Sequence, residues 1–305
     1  MAVIGAITRL TESGLSITQW EPIKGTLPPL NDAAWNEAFE LYKATPQYAG
    51  IHDGMNLDEF KGIYFWEWIH RLWGRLIGLA FALPLLIFWL KGMIPKGYKL
   101  PLLGIFALGG LQGFIGWFMV QSGLEPGQVS VSPHRLALHL GLALVIYACI
   151  LWQIMCLHAA RFVLSKPYSW CLHRHSLFTL AFLALTIVWG AFTAGLDAGK
   201  IYNSFPLMNG HIIPPDFNSM EPWIKNLTSN PAAVQFVHRA LATITVILTL
   251  TLAWRLRDVA PKLSIALGIV MVAQYVLGVV TVLTGAHIVV AALHQANAIV
   301  ALTCV

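Results

Sequence analysis

The chain has 305 residues, of which 57% are hydrophobic and only 11% are charged. Because soluble domains carry about 25% charged residues, this composition excludes an ordinary soluble protein and predicts an integral, polytopic membrane protein. The formal net charge of +5 is read as a signal of membrane topology, since no basic patch with interleaved aromatic residues indicates a nucleic-acid partner.

The predicted elements begin with an apolar stretch, residues 1–8, which is shorter than the ~20 residues that cross a bilayer. We interpret it as a first helix that is truncated in this chain or that only dips into the membrane. Residues 9–60 form a long polar segment with a short surface helix at 31–42, which Asn31 would cap. Spanning helices follow at about 61–90, 100–121, 134–157, 174–195, 232–254, 263–284 and 288–305. The sequence thus predicts an all-α fold with eight transmembrane helices.

Charges in the connections predict the orientation of these helices. Three connections are basic, with acidic residues absent or outnumbered: 91–99, 158–174 and 255–262. They alternate with acidic or mixed segments at 9–60, 122–133 and 196–230. Basic loops stay on the cytoplasmic or matrix side, so the acidic and mixed segments are predicted to lie on the periplasmic or intermembrane side.

A group of ionisable residues lies in the sequence FWEWIHRLWGR at 65–75. Glu67, His70 and Arg71 stand inside an otherwise apolar helix, where spacings of three and four residues bring them to one side. Ionisable groups in a membrane helix are costly and usually functional. Glu67 also has a simpler interpretation, an ion pair with Arg71 that supports the helix by about 0.2–0.5 kcal/mol.

Histidines recur at one depth on alternate helices. His70, His139, His238 and His294 occur in the second, fourth, sixth and eighth predicted helices. Each lies about two turns from the outer end, or ~10 Å below the membrane surface. His287 is an alternative to His294, because it is seven residues earlier on the same face. A single histidine would be read as a packing residue, but four at one depth predict a functional site.

The chain also contains an internal repeat. Four pairs of stretches match: QGFIGWFMVQSG at 112–123 with QYVLGVVTVLTG at 274–285, His-Arg at 70–71 with 238–239, Leu-His at 138–139 with 293–294, and GAIT at 5–8 with GAFT at 190–193. Self-similarity at a long period indicates duplicated units, and four spans in each unit give parallel repeats. We expect two tandem four-helix bundles, at 1–160 and 161–305, each with two inward-facing histidines.

Two imidazoles on facing helices suit the two axial positions of a heme iron. Zinc is less suited, because a histidine pair leaves its ligand shell short and Glu67 is available in the first bundle only. The four cysteines have no metal-ligand spacing. Four arginines near the histidines are placed to bind heme propionates: Arg71, Arg75, Arg135 and Arg239. Alternatively, their side chains simply extend to the membrane interface to keep their charges in water.

Together these motifs resemble the heme A synthase family, in its proteobacterial and mitochondrial branch. The similarity covers nearly the whole chain, and the combination is specific although each motif alone is weak. The matching stretches are TRLTESGLSITQWEPIKGTLPP at 8–29, EWIHRLWGRLIG at 67–78, GFIGWFMVQSGL at 113–124, RLALHL at 135–140, VHRALA at 237–242 and ALHQANA at 292–298.

The resemblance implies an oxidoreductase that converts the C8 methyl of heme O to a formyl group, giving heme A for terminal oxidases. Glu67 matches an acidic residue of the family close to the substrate and is the predicted catalytic residue. The first bundle would receive the substrate heme O, at His70, His139, Arg71 and Arg135. The second would hold a heme b that passes electrons, at His238, His294 and Arg239. All four histidines would be axial ligands of heme iron.

The resemblance also implies partners and a location. The expected partners are heme O, the heme O synthase (protoheme farnesyltransferase) that makes it, an electron donor that the sequence does not identify and, as an option, another copy of the chain in a homo-oligomer. The expected location is a cell inner membrane or the mitochondrial inner membrane. Some family members carry a cysteine pair in the first outer loop, whereas residues 43–60 contain none, so thiol chemistry is not expected here.

Two other classes of protein share some of these features. A di-heme electron carrier, such as a quinol-linked cytochrome b, would use four histidines without chemistry on the heme. A transporter built on parallel repeats would have broken helices at mid-membrane, for which Pro84 is the candidate. Glu67 beside His70 and the long first outer segment favour the enzyme.

Overall fold

A computed structural model describes residues 1–21, 24–158 and 169–305, and within these ranges the protein is all-α without a β-strand. Six helices are long and apolar enough to cross a membrane, which confirms a multi-pass membrane protein. They are α4 (Leu57–Leu90), α5 (Lys99–Gly123), α6 (Pro133–Leu157), α7 (Trp170–Gly195), α9 (Pro231–Leu256) and α10 (Pro261–Leu283). Their lengths and apolar compositions follow the hydropathy of the sequence closely.

The first and last helices are shorter than these six. Helix α1 runs over Ala2–Leu10 with 9 residues, and α11 runs over Ile288–Cys304 with 17 residues. By length and composition, neither helix belongs to the six candidate spans.

Capping explains why α4 begins earlier than predicted. Helix α4 begins at Leu57 instead of residue 61, because Asn56 accepts hydrogen bonds from the backbone N–H groups of Asp58 and Glu59. Glu59 in turn accepts from the Asn56 N–H at 2.9 Å, which completes a capping box. The four additional residues extend the same rod into the polar segment.

The polar segment before α4 contains more helix than its composition suggests. The predicted surface helix is confirmed as α2 (Asp32–Lys43), with Asn31 as its N-cap. A second helix, α3 (Pro46–Ile51), follows at once and was not predicted. It was missed because six residues with an internal glycine carry no readable periodicity. The one-turn helix α8 (Asn226–Ser229), in the second half of the chain, is likewise too short to show a periodicity.

An aromatic cluster joins α2 to the first turns of α4. Phe60 stacks on Phe39 at 4.9 Å and on Tyr42 at 5.3 Å between ring centroids. Tyr64, one turn further along α4, completes the buried set. Aromatic pairs at these distances contribute about 0.5–1.5 kcal/mol beyond the area that they bury. The cluster therefore fixes both the position and the rotation of the start of α4.

The chain divides into two compact units, Met1–Ile150 and Leu151–Val305. In the first unit, α4 packs against α1, α2 and α5. In the second unit, α7 packs on α9, α9 on α10, α10 on α11, and α11 on α7, so the contacts close a ring of four helices. The predicted boundary between residues 160 and 161, with the basic residues Arg161 and Lys166, lies outside the described residues.

Helix α4 remains continuous through Pro84. A proline in a helix interior removes one backbone hydrogen bond and usually kinks the helix without ending it. Because the residues on both sides of Pro84 are helical, α4 is not a discontinuous helix of the kind found in transporters. The one sequence feature that suggested a transporter is therefore not supported.

The segment that follows α1 is held by two residues of α4. Glu67 accepts hydrogen bonds from the Ser16 hydroxyl at 2.7 Å and from the Ile17 N–H at 2.8 Å. Arg71 donates to the Ile17 carbonyl at 2.8 Å and to the Gln19 carbonyl at 3.3 Å. Charged donors and acceptors make hydrogen bonds of roughly 1.5–3 kcal/mol each, so these contacts anchor the segment firmly.

The second unit repeats this anchor with a neutral side chain in place of the carboxylate. Gln235 donates to the Ile201 carbonyl at 2.8 Å. Arg239, four residues on, donates to the carbonyls of Tyr202 at 2.6 Å and Ser204 at 2.9 Å. The contacted carbonyls are again two residues apart in an irregular segment. The two units therefore hold these segments through similar side-chain contacts.

The helices generate a topological prediction. Three candidate spans, α5, α6 and α7, separate Lys96 from Gly210, so reporters fused after these residues should lie on opposite sides of the membrane. The basic connection containing Lys96 should be cytoplasmic in a bacterial host. A green fluorescent protein fusion after Lys96 should fluoresce, and an alkaline phosphatase fusion after Gly210 should be active. A control fusion after Arg257 should behave like Lys96; the same side for Lys96 and Gly210 would contradict this arrangement.

Candidate functional site

Each of the predicted histidines packs against a glycine on a neighbouring helix. The contact is so close that an added Cβ atom on the glycine would lie 2.9–3.0 Å from the histidine Cε1 atom. Carbon atoms pack best at about 3.5–4.0 Å, so only glycine fits without displacing the ring. The pairs are Gly5 with His70, Gly116 with His139, Gly190 with His238, and Gly278 with His294.

A glutamine lies beside two of these rings. The Gln112 Nε2 atom is 3.2 Å from His139 Nδ1 and 3.4 Å from its Nε2. Gln274 repeats the arrangement at His294, with distances of 3.3 and 3.5 Å. Each glutamine stands four residues before the glycine that touches the same ring, Gly116 or Gly278. Residues four apart share a helix face, so one face supplies both a steric and a polar contact.

His238 has a different polar partner. Its Nδ1 atom lies 3.0 Å from the Thr186 carbonyl oxygen. A carbonyl only accepts hydrogen bonds, so Nδ1 carries the proton and Nε2 is left with a lone pair. This is the arrangement by which a second partner orients a metal-binding histidine. The corresponding Nδ1 atom of His70 is buried and has no hydrogen-bond partner in the described part of the chain.

Each unit brings two of these histidines close enough to interact electrostatically. His70 is within electrostatic range of His139 in the first unit, and His238 is within range of His294 in the second. Across the described ranges, no group of three or more His, Cys, Asp or Glu side chains is placed to hold a metal ion. A zinc site would need three or four protein ligands. A pair of imidazoles instead fits a metal whose other positions are filled by a macrocycle.

Glu67 is almost completely buried, with 3% exposure. It forms an ion pair with Arg71 at 2.6 Å, in addition to its bonds from Ser16 and the Ile17 N–H. The predicted ion pair is therefore present, as one part of a larger network. Three donors around the carboxylate stabilise its charge in an apolar helix.

All four arginines predicted to meet propionates donate to a backbone carbonyl. Arg71 and Arg239 bind the segments described above, and Arg75 binds the Glu21 carbonyl at 3.2 Å. Arg135 donates to the Phe118 carbonyl at 2.8 Å and lies 3.8 Å from the centroid of the Phe118 ring. A guanidinium has five N–H donors, so these bonds leave donors for an anionic group.

The two candidates on α11 are placed differently. His287 is the exposed N-cap residue of α11 and makes no side-chain capping bond. His294 lies within the helix, beside Gly278 and Gln274. The placement favours His294 as the ligand in the second unit.

Several residues of the site were not assigned to it from the sequence. Gln112 and Gln274 were noticed as repeated residues, and their repetition beside a repeated glycine was a usable signal. Thr186 acts through its carbonyl, and no side-chain pattern reports that. Gln235 was missed because it differs in type from Glu67, although both stand three residues before a histidine.

Comparisons with known proteins identify the family of the chain. The family described as cytochrome oxidase assembly protein, COX15-CtaA, matches residues 1–305. Curated relatives named heme A synthase include that of Rhodospirillum centenum, 50% identical with 98% of this chain and 81% of the relative covered. Those of Nitrosospira multiformis and Agrobacterium fabrum are 43% and 44% identical, covering 99% of this chain and 86% and 83% of the relatives.

No solved structure matches the chain. The full-length family match and the identities of 43–50% to curated relatives confirm the resemblance drawn from the motifs. The chain therefore belongs to the family of cytochrome oxidase assembly proteins that includes these heme A synthases.

Proposed function

We propose that this protein is a heme A synthase, an oxidoreductase that converts the C8 methyl of heme O to a formyl group. The observation that carries the proposal is that each unit holds two histidines whose rings are each set against a glycine. Family membership and the names of the relatives support the same activity. A multi-pass location in an inner membrane, near a heme O synthase, follows from this function.

We infer an architecture of eight membrane helices in two tandem bundles. The first would contain α1, α4, α5 and α6, and the second α7, α9, α10 and α11. The closed ring of contacts in the second unit supports this. The glycine contacts support it too, because Gly5 of α1 lies against His70, and His294 of α11 lies against Gly278. The short helices α1 and α11 thus belong to the site even though they are not among the six long spans.

The residues present fit heme in both units. In the second unit His238 and His294 would hold heme b as axial ligands, with Arg239 near its propionates. Heme b, when bound, supplies one-electron transfer. In the first unit His70 and His139 would bind the substrate heme O, with Arg71 and Arg135 available to its propionates. At each glycine contact, one edge of the imidazole ring lies directly against the backbone of the neighbouring helix, as a tightly packed cofactor site requires.

The two units differ in how completely their histidines are supported. In the second unit, Gln274 Oε1 accepts a hydrogen bond from Asn297 at 2.9 Å. In the first, Gln112 Oε1 is buried and lacks a partner among the described residues, and Leu142 stands at the position equivalent to Asn297. A fully bonded support suits a resident cofactor, and a looser one suits a substrate that must enter and leave. This difference supports heme b in the second unit and heme O in the first.

We further propose Glu67 as the catalytic carboxylate. It lies one turn from His70, and oxidation of a methyl group requires removal of protons and electrons. A carboxylate in this position accepts a proton or stabilises positive charge that develops on the substrate carbon. Gln235 anchors the equivalent segment in the second unit without a charge. Anchoring alone therefore does not require a carboxylate, which leaves a chemical role for Glu67.

The decisive test of the function is heme extraction and chromatography of the purified protein after co-expression with a heme O synthase. Heme A should appear, and it should be absent when the heme O synthase is omitted. Heme B alone in both preparations would instead identify a di-heme electron carrier.

Removal of an axial ligand should separate the two units. His294→Ala should lose the b-type absorption spectrum or turn it high-spin, with heme occupancy falling at least about tenfold, the lower end of what a change of supporting residue costs. His139→Ala should retain more of that spectrum, because it alters the substrate unit. His287→Ala is the control and should resemble the parent protein. A normal spectrum for His294→Ala would transfer the ligand role to His287.

Replacement of the carboxylate tests its chemical role. Glu67→Gln keeps the shape and hydrogen-bonding capacity of the side chain but removes its charge and basicity. The variant should fold, retain heme b and accumulate heme O or its alcohol, with heme A formation reduced roughly 100-fold or more. Ser16→Ala, which removes one bond to Glu67 and no charge, is the matched control. Similar heme A yields from the two variants would reduce Glu67 to an anchoring residue.

A further inference from the structure

We propose that Gly5, Gly116, Gly190 and Gly278 are positioning residues that set the depth and rotation of the histidine rings at the heme iron. The proposal rests on the proposed function, because the role requires a heme between the rings. It assigns to these glycines a part in the reaction that differs from general helix packing.

The contacts are alike at all four positions. In each case the ring atom nearest to an added Cβ is Cε1, at 2.9–3.0 Å, followed by Nδ1 at 3.4–3.6 Å and Nε2 at 3.7–3.9 Å. The same edge of the imidazole therefore faces the backbone at every site. Since the best carbon–carbon separation is about 3.5–4.0 Å, a methyl group would push the ring by roughly 0.5 Å or more, or turn it.

Other glycines on the same helices do not share this feature. An added Cβ on Gly113 of α5 or on Gly268 of α10 would meet nothing within 4 Å. The close contacts therefore coincide with the histidines and do not reflect a general requirement for small residues. Gly113 and Gly268 also provide matched controls on the helices that carry Gly116 and Gly278.

A second, polar contact further restrains the rings of His294 and His238. At His294, Gly278 limits how closely the ring approaches α10, and Gln274, one turn earlier, places an amide beside both ring nitrogens. At His238, Gly190 limits the approach, and the Thr186 carbonyl fixes Nδ1. A steric limit and a polar contact from one helix determine both the distance and the rotation of the ring. A methyl group added at the glycine alone should change ring orientation while the ligand atom remains.

The test uses the full chain with its co-purified heme b. Gly278→Ala should retain heme but alter the low-spin signal, because the electron paramagnetic resonance spectrum of a bis-imidazole heme depends on the orientation of its two ring planes. We expect a shifted largest g-value or partial conversion to high spin, and a changed midpoint potential. Gly268→Ala should match the parent in all three measurements. Gly190→Ala, which acts on the other ring, should also alter the spectrum.

The outcomes distinguish this inference from the proposed function. Absence of heme b from the parent protein would overturn the proposed function itself. Heme b present, with spectra and potentials of Gly278→Ala and Gly190→Ala equal to those of Gly268→Ala, would overturn the positioning role alone. If Gly278→Ala does not fold, the spectrum and midpoint potential of Gly190→Ala decide whether the positioning role holds. If neither variant folds while Gly268→Ala does, the glycines serve helix packing and the proposal is overturned.

Discussion

The structure depends on a single constraint, the placement of polar imidazole rings inside apolar helices. A polar group away from water is costly unless it has a partner, and a ring between closely packed helices needs space that only a glycine backbone leaves. The chain meets both needs with a short motif on the facing helix, as in Gln274 and Gly278 opposite His294. That contact limits both the approach of the two helices and the orientation of the ring.

The two units use similar contacts with different side chains. Both units hold the segment after their first helix with an arginine that follows a histidine, Arg71 in one and Arg239 in the other. The units differ at the residue one turn earlier, Glu67 or Gln235, and in the support behind the glutamine. These differences change the charge and the polar bonding at otherwise similar contacts. On the proposed function, they would separate a reaction centre from an electron-transfer centre.

The sequence was sufficient for features that depend on neighbouring residues. Hydropathy located the six long spans, and the Asn31 cap marked the start of α2. It was insufficient where a side chain meets a distant backbone atom. Arg71 binds a carbonyl 54 residues away, and periodicity carries no information about such partners. The glycine contacts were hidden for the same reason, since each glycine and its histidine lie on different helices.

The aromatic cluster at the start of α4 has a mechanical consequence. Helix α4 has 34 residues and so spans about 51 Å, against about 30 Å for the hydrocarbon layer. Its first turns are clamped by stacked rings at Phe60, and His70 projects from the same uninterrupted rod about 15 Å further along. The clamp at Phe60 therefore also restrains the rotation of His70 about the axis of α4, although the ring itself lies about three turns away.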